Sequence, residues 1–238
     1  MRSSDRAEME DRIASVAEDV EPLLDEFVFA GGVVTSLLVT DPAAVPVPVT
    51  DDVDVVVEVT TRVEYERISE RLRALGLRHD TSEDAPICRW ITPTDRLRLD
   101  VMPSEEGVLG FSNPWFDFVL TTARRRELAD GPTVRLVSPV GQLAMKLAAY
   151  RDRGGDDPLA SRDLEDVVVL VAGRPEIVEE VTDAPPALQS WVADVVGKLL
   201  EMDEMDYVLE GTLLDASRVP GFVEEVRDRL ERIAHLAG

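Results

Sequence analysis

A chain of 238 residues fits one large domain or two small ones, and a hydrophobic fraction of 45% is enough to bury a core. No apolar run approaches the roughly 20 residues that span a bilayer, and a single cysteine, Cys88, excludes both an intrachain disulfide and a cysteine-rich zinc site. The net charge of −23 is spread along the whole chain rather than gathered in a tail, and the bases are almost all arginine, with Lys146 and Lys198 the two lysines.

The N-terminal stretch "MRSSDRAEMEDRIASVAEDVEPLL" is charged and helical in pattern, with no signal-peptide core, and reads as cytoplasmic. Ile13, Val16, Val20 and Leu24 recur at helical spacing and predict an amphipathic helix over 5–25. "FVFAGG" (27–32) is a short strand ending in a glycine pair, and "VVTSLLV" begins a helix. "TDPAAVPVPVT" (40–50) holds three prolines and reads as a loop. "TDDVDVVVEV" (50–59) is a strand with acid crowded onto its first half. "RVEYERISERLRALG" (62–76) is a helix closed by Gly76. "ICRWITP" (87–93) and "RLRLDVMP" (96–103) form a hairpin-like pair. "FDFVLTTARRREL" and "TVRLVS" flank a second turn at "ADGP", and the strands stop at Ser138. "SPVGQLAMKLAAYRDR" is a helix with Ser138 as N-cap and Pro139 in its first turn, and "SRDLEDVVVLVAG" is the next, capped by Ser161. "PPALQSWVADVVGKLLEMD" and "PGFVEEVRDRLERIAHLA" complete a helical tail. The expected organisation is an α/β part over 1–137, with a small mixed sheet flanked by helices, followed by a helical bundle over 138–238.

Strand interiors disfavour aspartate. Asp52 and Asp54 share one face of their strand, about 7 Å apart along the chain. Two like charges side by side call for a positive partner. A hard divalent cation, Mg²⁺ or Mn²⁺, takes carboxylate oxygens and bridges to phosphate. Asp100 breaks the alternation of a second strand and supplies the third carboxylate of a two-metal clamp for in-line displacement at phosphorus. Gly31 and Gly32 lie before a helix start, where bare backbone approaches a triphosphate, and Thr35 or Ser36 adds a hydroxyl. Taken singly, the Asp-x-Asp pair is a solvated strand edge, Asp100 a partner for Arg98 or Arg96, and the glycine pair a turn.

The order of these pieces, "AGGVVTS", "DDVDVVVE" and "RLDVM", resembles the nucleotidyltransferase superfamily typified by DNA polymerase β. "SPVGQLAMKLAAYRDR" followed by "SRDLEDVVVLV" is similar to the abortive-infection type nucleotidyltransferases, which include toxins of toxin–antitoxin pairs. The resemblance covers residues 27 to 172. Two departures stand out: the linker from Gly32 to Asp52 is long for that family, and Val33 stands where a serine or glycine is usual. The resemblance implies a nucleoside triphosphate substrate, metals on Asp52, Asp54 and Asp100, and an active site completed by Lys146 and Asp163. It also implies RNA, notably tRNA ends, as acceptor, and a cognate antitoxin protein as partner. A small-molecule acceptor of the aminoglycoside kind and a catalytically silent binding module stay open beside it. The stem of Lys146 is expected to pack among the small neighbours of "LAMKLAAY" while its ammonium reaches out to phosphate, so that it serves the triphosphate rather than the fold.

Net charge does not exclude RNA if the chain works in a high-salt, halophilic cytoplasm, where the Debye length falls to about 3 Å. Other candidates are weaker. His79 and His235 have no ligand-spaced partners, and Cys88 reads as a buried, inert strand residue. The basic clusters "TTARRREL" and Arg67, Arg71 and Arg78 read first as salt-bridge partners for the abundant acid.

Overall fold

The computed structural model describes residues 2–41, 50–129, 131–153, 157–214 and 220–237. Helix α1 (Arg2–Asp19) leads through a turn of 3-10 helix at Glu21–Leu23 into β1 (Phe27–Ala30) and α2 (Gly32–Leu38). β2 (Asp52–Val57), α3 (Arg62–Ala74), β3 (Arg78–His79), β4 (Arg89–Ile91) and β5 (Arg98–Pro103) follow. Then come α4 (Glu106–Leu109), α5 (Phe116–Thr122), β6 (Arg124–Glu127) and β7 (Thr133–Leu136). From there the described chain is helical: α6 (Pro139–Asp152), a 3-10 turn at Pro158–Ala160, α7 (Arg162–Gly173), α8 (Ile177–Thr182), α9 (Pro186–Leu200), α10 (Met205–Thr212) and α11 (Phe222–Ala234).

The strands form one mixed sheet in the order β3-β4-β5-β2-β1-β7-β6. β1 is antiparallel to β2, and β2 runs parallel to β5, so the two aspartate-bearing strands lie side by side at the sheet's centre. Central strands carry near-continuous apolar runs because both faces are covered. All four residues of β1 are buried, and in β2 the buried positions Val53, Val55, Val56 and Val57 leave Asp52 and Asp54 as the partly exposed ones. The chain is thus α/β, with a mixed sheet flanked by helices and a helical second half. Buried apolar residues of both halves, from Met9 and Phe29 to Val192 and Ile233, belong to one cluster.

Local chemistry sets the helix starts. Thr61 and Glu64 form a reciprocal capping box on α3, Ser138 accepts from the Gly141 N–H at the head of α6, and Ser161 accepts from the Leu164 N–H at the head of α7. Gly76, at φ +92°, closes α3.

Three expectations need correction. "FDFVLTTARRREL" is extended only over Arg124–Glu127; Phe116, Val119 and Leu120 recur at helical spacing and are buried together as the inner face of α5. The hairpin strands over 87–93 and 96–103 are shorter than their apolar pattern, because Arg96 at φ +55° turns the chain before β5 begins. The short helices α8 and α10 also had no place in the sequence reading. Of the proline-rich loop at 40–50, residues 42–49 lie outside the described residues, as does Asp130 of the second turn.

Candidate functional site

Asp54 of β2 and Asp100 of β5 are register partners across the parallel pair, and Asp52 is two residues up the same strand face. All three line a cavity of about 770 Å³ that the glycine pair, α6 and α7 complete. Gly31, Gly32, Lys146 and Asp163 line it too, so the structure brings seven of the nine predicted residues to one place.

Thr35 and Ser36 are the exceptions. Both are buried; the Thr35 hydroxyl donates to the Gly31 carbonyl and the Ser36 hydroxyl to the Val33 carbonyl. Both hydroxyls are spent on backbone carbonyls of α2 and its cap, and neither residue lines the cavity. The expected hydroxyl contact with a triphosphate is withdrawn.

The positive partner of Asp52 and Asp100 is a side chain that the sequence reading passed over. Arg89 of β4 donates through Nε to Asp100 Oδ1 at 2.8 Å and through Nη2 to Asp100 Oδ2 at 2.7 Å. The same Nη2 reaches Asp52 Oδ2 at 2.8 Å. Asp52 is further held by the Thr50 hydroxyl, which donates to its Oδ1 at 3.0 Å. Hydrogen bonding to Asp100 raises the Arg89 pKa above its ordinary value, against the opposing effect of burial. Arg98, one of the partners considered for Asp100, instead pairs in the ladder with Asp52 and Ile91.

Asp54 is treated differently. Among the described residues no donor hydrogen-bonds its carboxylate. Burial pushes its pKa up to about 7; Lys146 and Arg153 pull it down, and Asp100 and Asp52 add to the rise. Its Oδ2 lies over the α-carbon of Gly31: a Cβ built there would stand 1.8 Å from that oxygen. Gly31 also has φ +79°, a left-handed value that glycine adopts without strain. The glycine is therefore required by the carboxylate above it and by the turn into α2. Gln142 of α6 pins that turn, accepting from the Gly31 N–H at 3.2 Å while its amide donates to the Gly31 carbonyl at 2.8 Å and to the Thr35 hydroxyl at 3.0 Å. The Gly31 N–H is thus already engaged.

Lys146 sits one helical turn beyond Gln142. Its ammonium is not left free to reach out to phosphate, as expected, but is held by carboxylates. It points inward, 2.6 Å from Asp166 Oδ2 and 3.1 Å from Asp163 Oδ1, and the side chain is 13% exposed. Burial alone would lower the Lys146 pKa, but Asp166, Asp163 and Asp54 together raise it, so the side chain is a fixed cation at any ordinary pH. Arg153, largely exposed, pairs with Asp163 Oδ2 at 3.1 Å. Asp166, a further residue not anticipated, has its Oδ2 3.5 Å from where a Gly32 Cβ would be. Each glycine of the pair therefore lies beneath one carboxylate, Asp54 or Asp166, and the two charged groups meet there.

Both omissions had a signal in the sequence. Counting back from the turn between β4 and β5 puts Arg89 opposite Asp100, as the ladder confirms. Asp166 and Gln142 lie three and four residues from Asp163 and Lys146, on the same helix faces. Cys88, beside Arg89, also lines the cavity; burial, with Asp100 and Asp54 nearby, pushes its thiol up to about 12. That is an inert thiol, as expected of a buried cysteine.

The donor chemistry of Asp52, Asp54 and Asp100 fits a hard divalent cation, and the guanidinium of Arg89 shows that a positive group rests between two of them. Among the described residues no three acidic, histidine or cysteine side chains are gathered as an ion's ligands; Asp52 and Asp100 are turned onto Arg89. The cavity wall as a whole is acidic, with seven acidic side chains against four basic ones. No described helix is long and apolar enough to cross a membrane.

No protein-family model matches the chain, and no curated protein matches it. Among solved structures it is similar to an antigenic nucleotidyltransferase-like protein from Paracoccidioides brasiliensis, at 19% identity and a TM-score of 0.48, over 91% of this chain and 92% of that one.

Proposed function

We propose that the chain is a nucleotidyltransferase that moves a nucleoside monophosphate from a nucleoside triphosphate to an acceptor hydroxyl. The observation that carries this reading is the placing of Asp54 opposite Asp100 on adjacent parallel strands, with Asp52 on the same face, in the wall of a cavity that Lys146 also lines. The acceptor oxygen attacks the α-phosphorus, the bond to the bridging oxygen breaks, and pyrophosphate leaves. Asp52, Asp54 and Asp100 would hold Mg²⁺ or Mn²⁺, which when bound supplies charge neutralisation at the phosphates. An acidic wall meeting a polyanionic triphosphate makes such a cation necessary. Asp100 has both oxygens on Arg89; Asp54 is the carboxylate with oxygens left to accept the hydroxyl proton. Lys146 presents a fixed positive charge beside Asp54, and Asp163 and Asp166 orient it.

For the acceptor, the resemblance to abortive-infection type enzymes supports RNA, tRNA ends in particular, and a cognate antitoxin as protein partner. The diffuse acidity of the chain supports work at high salt, where it does not repel RNA. The test is transfer of label from α-labelled triphosphates, with tRNA and with an aminoglycoside as separate acceptors. Asp54→Asn should lose about 100-fold or more of the transfer. A second reading, a silent nucleotide-binding module, is favoured by the neutralisation of Asp52 and Asp100 by Arg89. Triphosphate binding with no labelled acceptor under Mg²⁺ or Mn²⁺ selects that second reading.

A further inference from the structure

Among the described residues Arg89 is the one cation that touches Asp52 and Asp100, and its geometry is that of an occupant. The guanidinium forks onto both oxygens of Asp100 and shares Nη2 with Asp52, three bonds of 2.7 to 2.8 Å. It takes up the inward lone pairs that these carboxylates would offer a metal. A bidentate guanidinium–carboxylate pair is among the stronger charge-assisted contacts in proteins. It lines the cavity, however, and the Asp52 side chain that it holds is 30% exposed. One guanidinium also serves two carboxylates, and among the described residues no donor hydrogen-bonds Asp54, so the group of three stays short of positive charge.

We infer that Arg89 is a resident counter-cation which a divalent ion must displace from Asp52 and Asp100, so that metal binding and the Arg89 ion pairs are mutually exclusive. This rests on reading Asp52, Asp54 and Asp100 as metal ligands. In the ion-free state Arg89 holds the two carboxylates in place, at the expense of metal affinity. Coupling across close charge pairs in other proteins is large enough that losing such a competitor should be visible as an order of magnitude in affinity.

The experiment follows free Mn²⁺ by its electron paramagnetic resonance signal during titration of the wild type, Arg89→Gln, Arg89→Lys and Asp52→Asn, each checked for native circular dichroism. Arg89→Gln should bind Mn²⁺ about tenfold or more tightly than wild type. Arg89→Lys should fall between them, since an ammonium competes without the bidentate fork. Should Arg89→Gln fail to fold, Arg89→Lys carries the comparison. Unchanged or weaker Mn²⁺ binding in the folded Arg89 variants, with wild-type binding that Asp52→Asn removes, overturns the displacement and leaves the metal site standing. No Mn²⁺ binding by wild type or by any Arg89 variant overturns the metal reading along with it.

Discussion

The cavity holds two groups of charges that look alike and are built on opposite plans. On the sheet, three aspartates face one arginine, and among the described residues the third carboxylate, Asp54, has no hydrogen-bonding partner. On the helices, Asp163 and Asp166 face Lys146 and Arg153, two acids against two bases, with every acid paired. The first group is deficient in positive charge and is held that way by backbone: parallel strands in fixed register cannot move Asp54 away from Asp100. The second is complete. A completed group stabilises the fold and offers a ligand a fixed charge, whereas an incomplete one costs stability until a ligand completes it. Function is to be sought at the incomplete group, with the complete group as its rigid wall.

The largest effect tests the complete group. Lys146→Ala leaves Asp163 and Asp166 facing each other with only the exposed Arg153 beside them. Breaking a buried pair by removing one partner costs about 3 kcal/mol or more. Urea denaturation should show that loss, reversing the expectation from sequence that Lys146 serves the triphosphate and leaves the fold alone. An undiminished midpoint would mean that the helical group is as open as the sheet group, and the contrast would dissolve.

The next tests the incomplete group and carries the opposite sign. The Asp54 pKa, raised to about 7, exceeds its unfolded value of about 4. Between those values the native protein holds a proton that the unfolded chain has released. Stability therefore falls as pH rises through the window, and the full cost is present above pH 7. Asp54→Asn removes it. In EDTA, the variant should be about 2 kcal/mol more stable than wild type above neutrality, and the two curves should converge toward pH 4. A variant less stable than wild type at neutral pH would show that Asp54 is already compensated.

How much of this was legible depends on the range of the interaction. The elements bearing the acids could be read because aspartate in a valine-rich strand is a local anomaly: Asp52, Asp54 and Asp100 stand out against their immediate neighbours. The caps at Ser138 and Ser161 are equally local. Arg89 was hidden because arginine is common in this chain, and its importance depends on cross-strand register rather than on its neighbours. Lys146 lines the cavity, but Asp163 and Asp166 hold its ammonium. Its helix has small neighbours on several sides, so the sequence does not say which way a long side chain turns; Asp166, arriving from α7, decides it. Thr35 and Ser36 failed for a related reason. A short polar side chain in a first helical turn has the backbone within reach and bonds it in preference to a distant ligand.

The smallest effect comes from the other lysine and isolates burial as the cause of the largest. Lys198 and Asp194, one turn apart on α9, form an ion pair of 2.7 Å, nearly the length of the Lys146–Asp166 pair. Here, however, both side chains are mostly exposed. In water the Coulomb gain is small, the long side chain loses rotamer freedom, and salt screens what remains. The position near the end of α9 adds a weak favourable term from the helix dipole. Lys198→Ala should therefore cost no more than about 0.5 kcal/mol by urea denaturation, and the cost should vanish in molar KCl. The loss in Lys146→Ala should persist there, because solvent ions do not enter between a buried ammonium and its carboxylates. If salt removed the two losses alike, the helical group would be solvated in solution, and its role as a rigid wall opposite Asp54 would have to be given up.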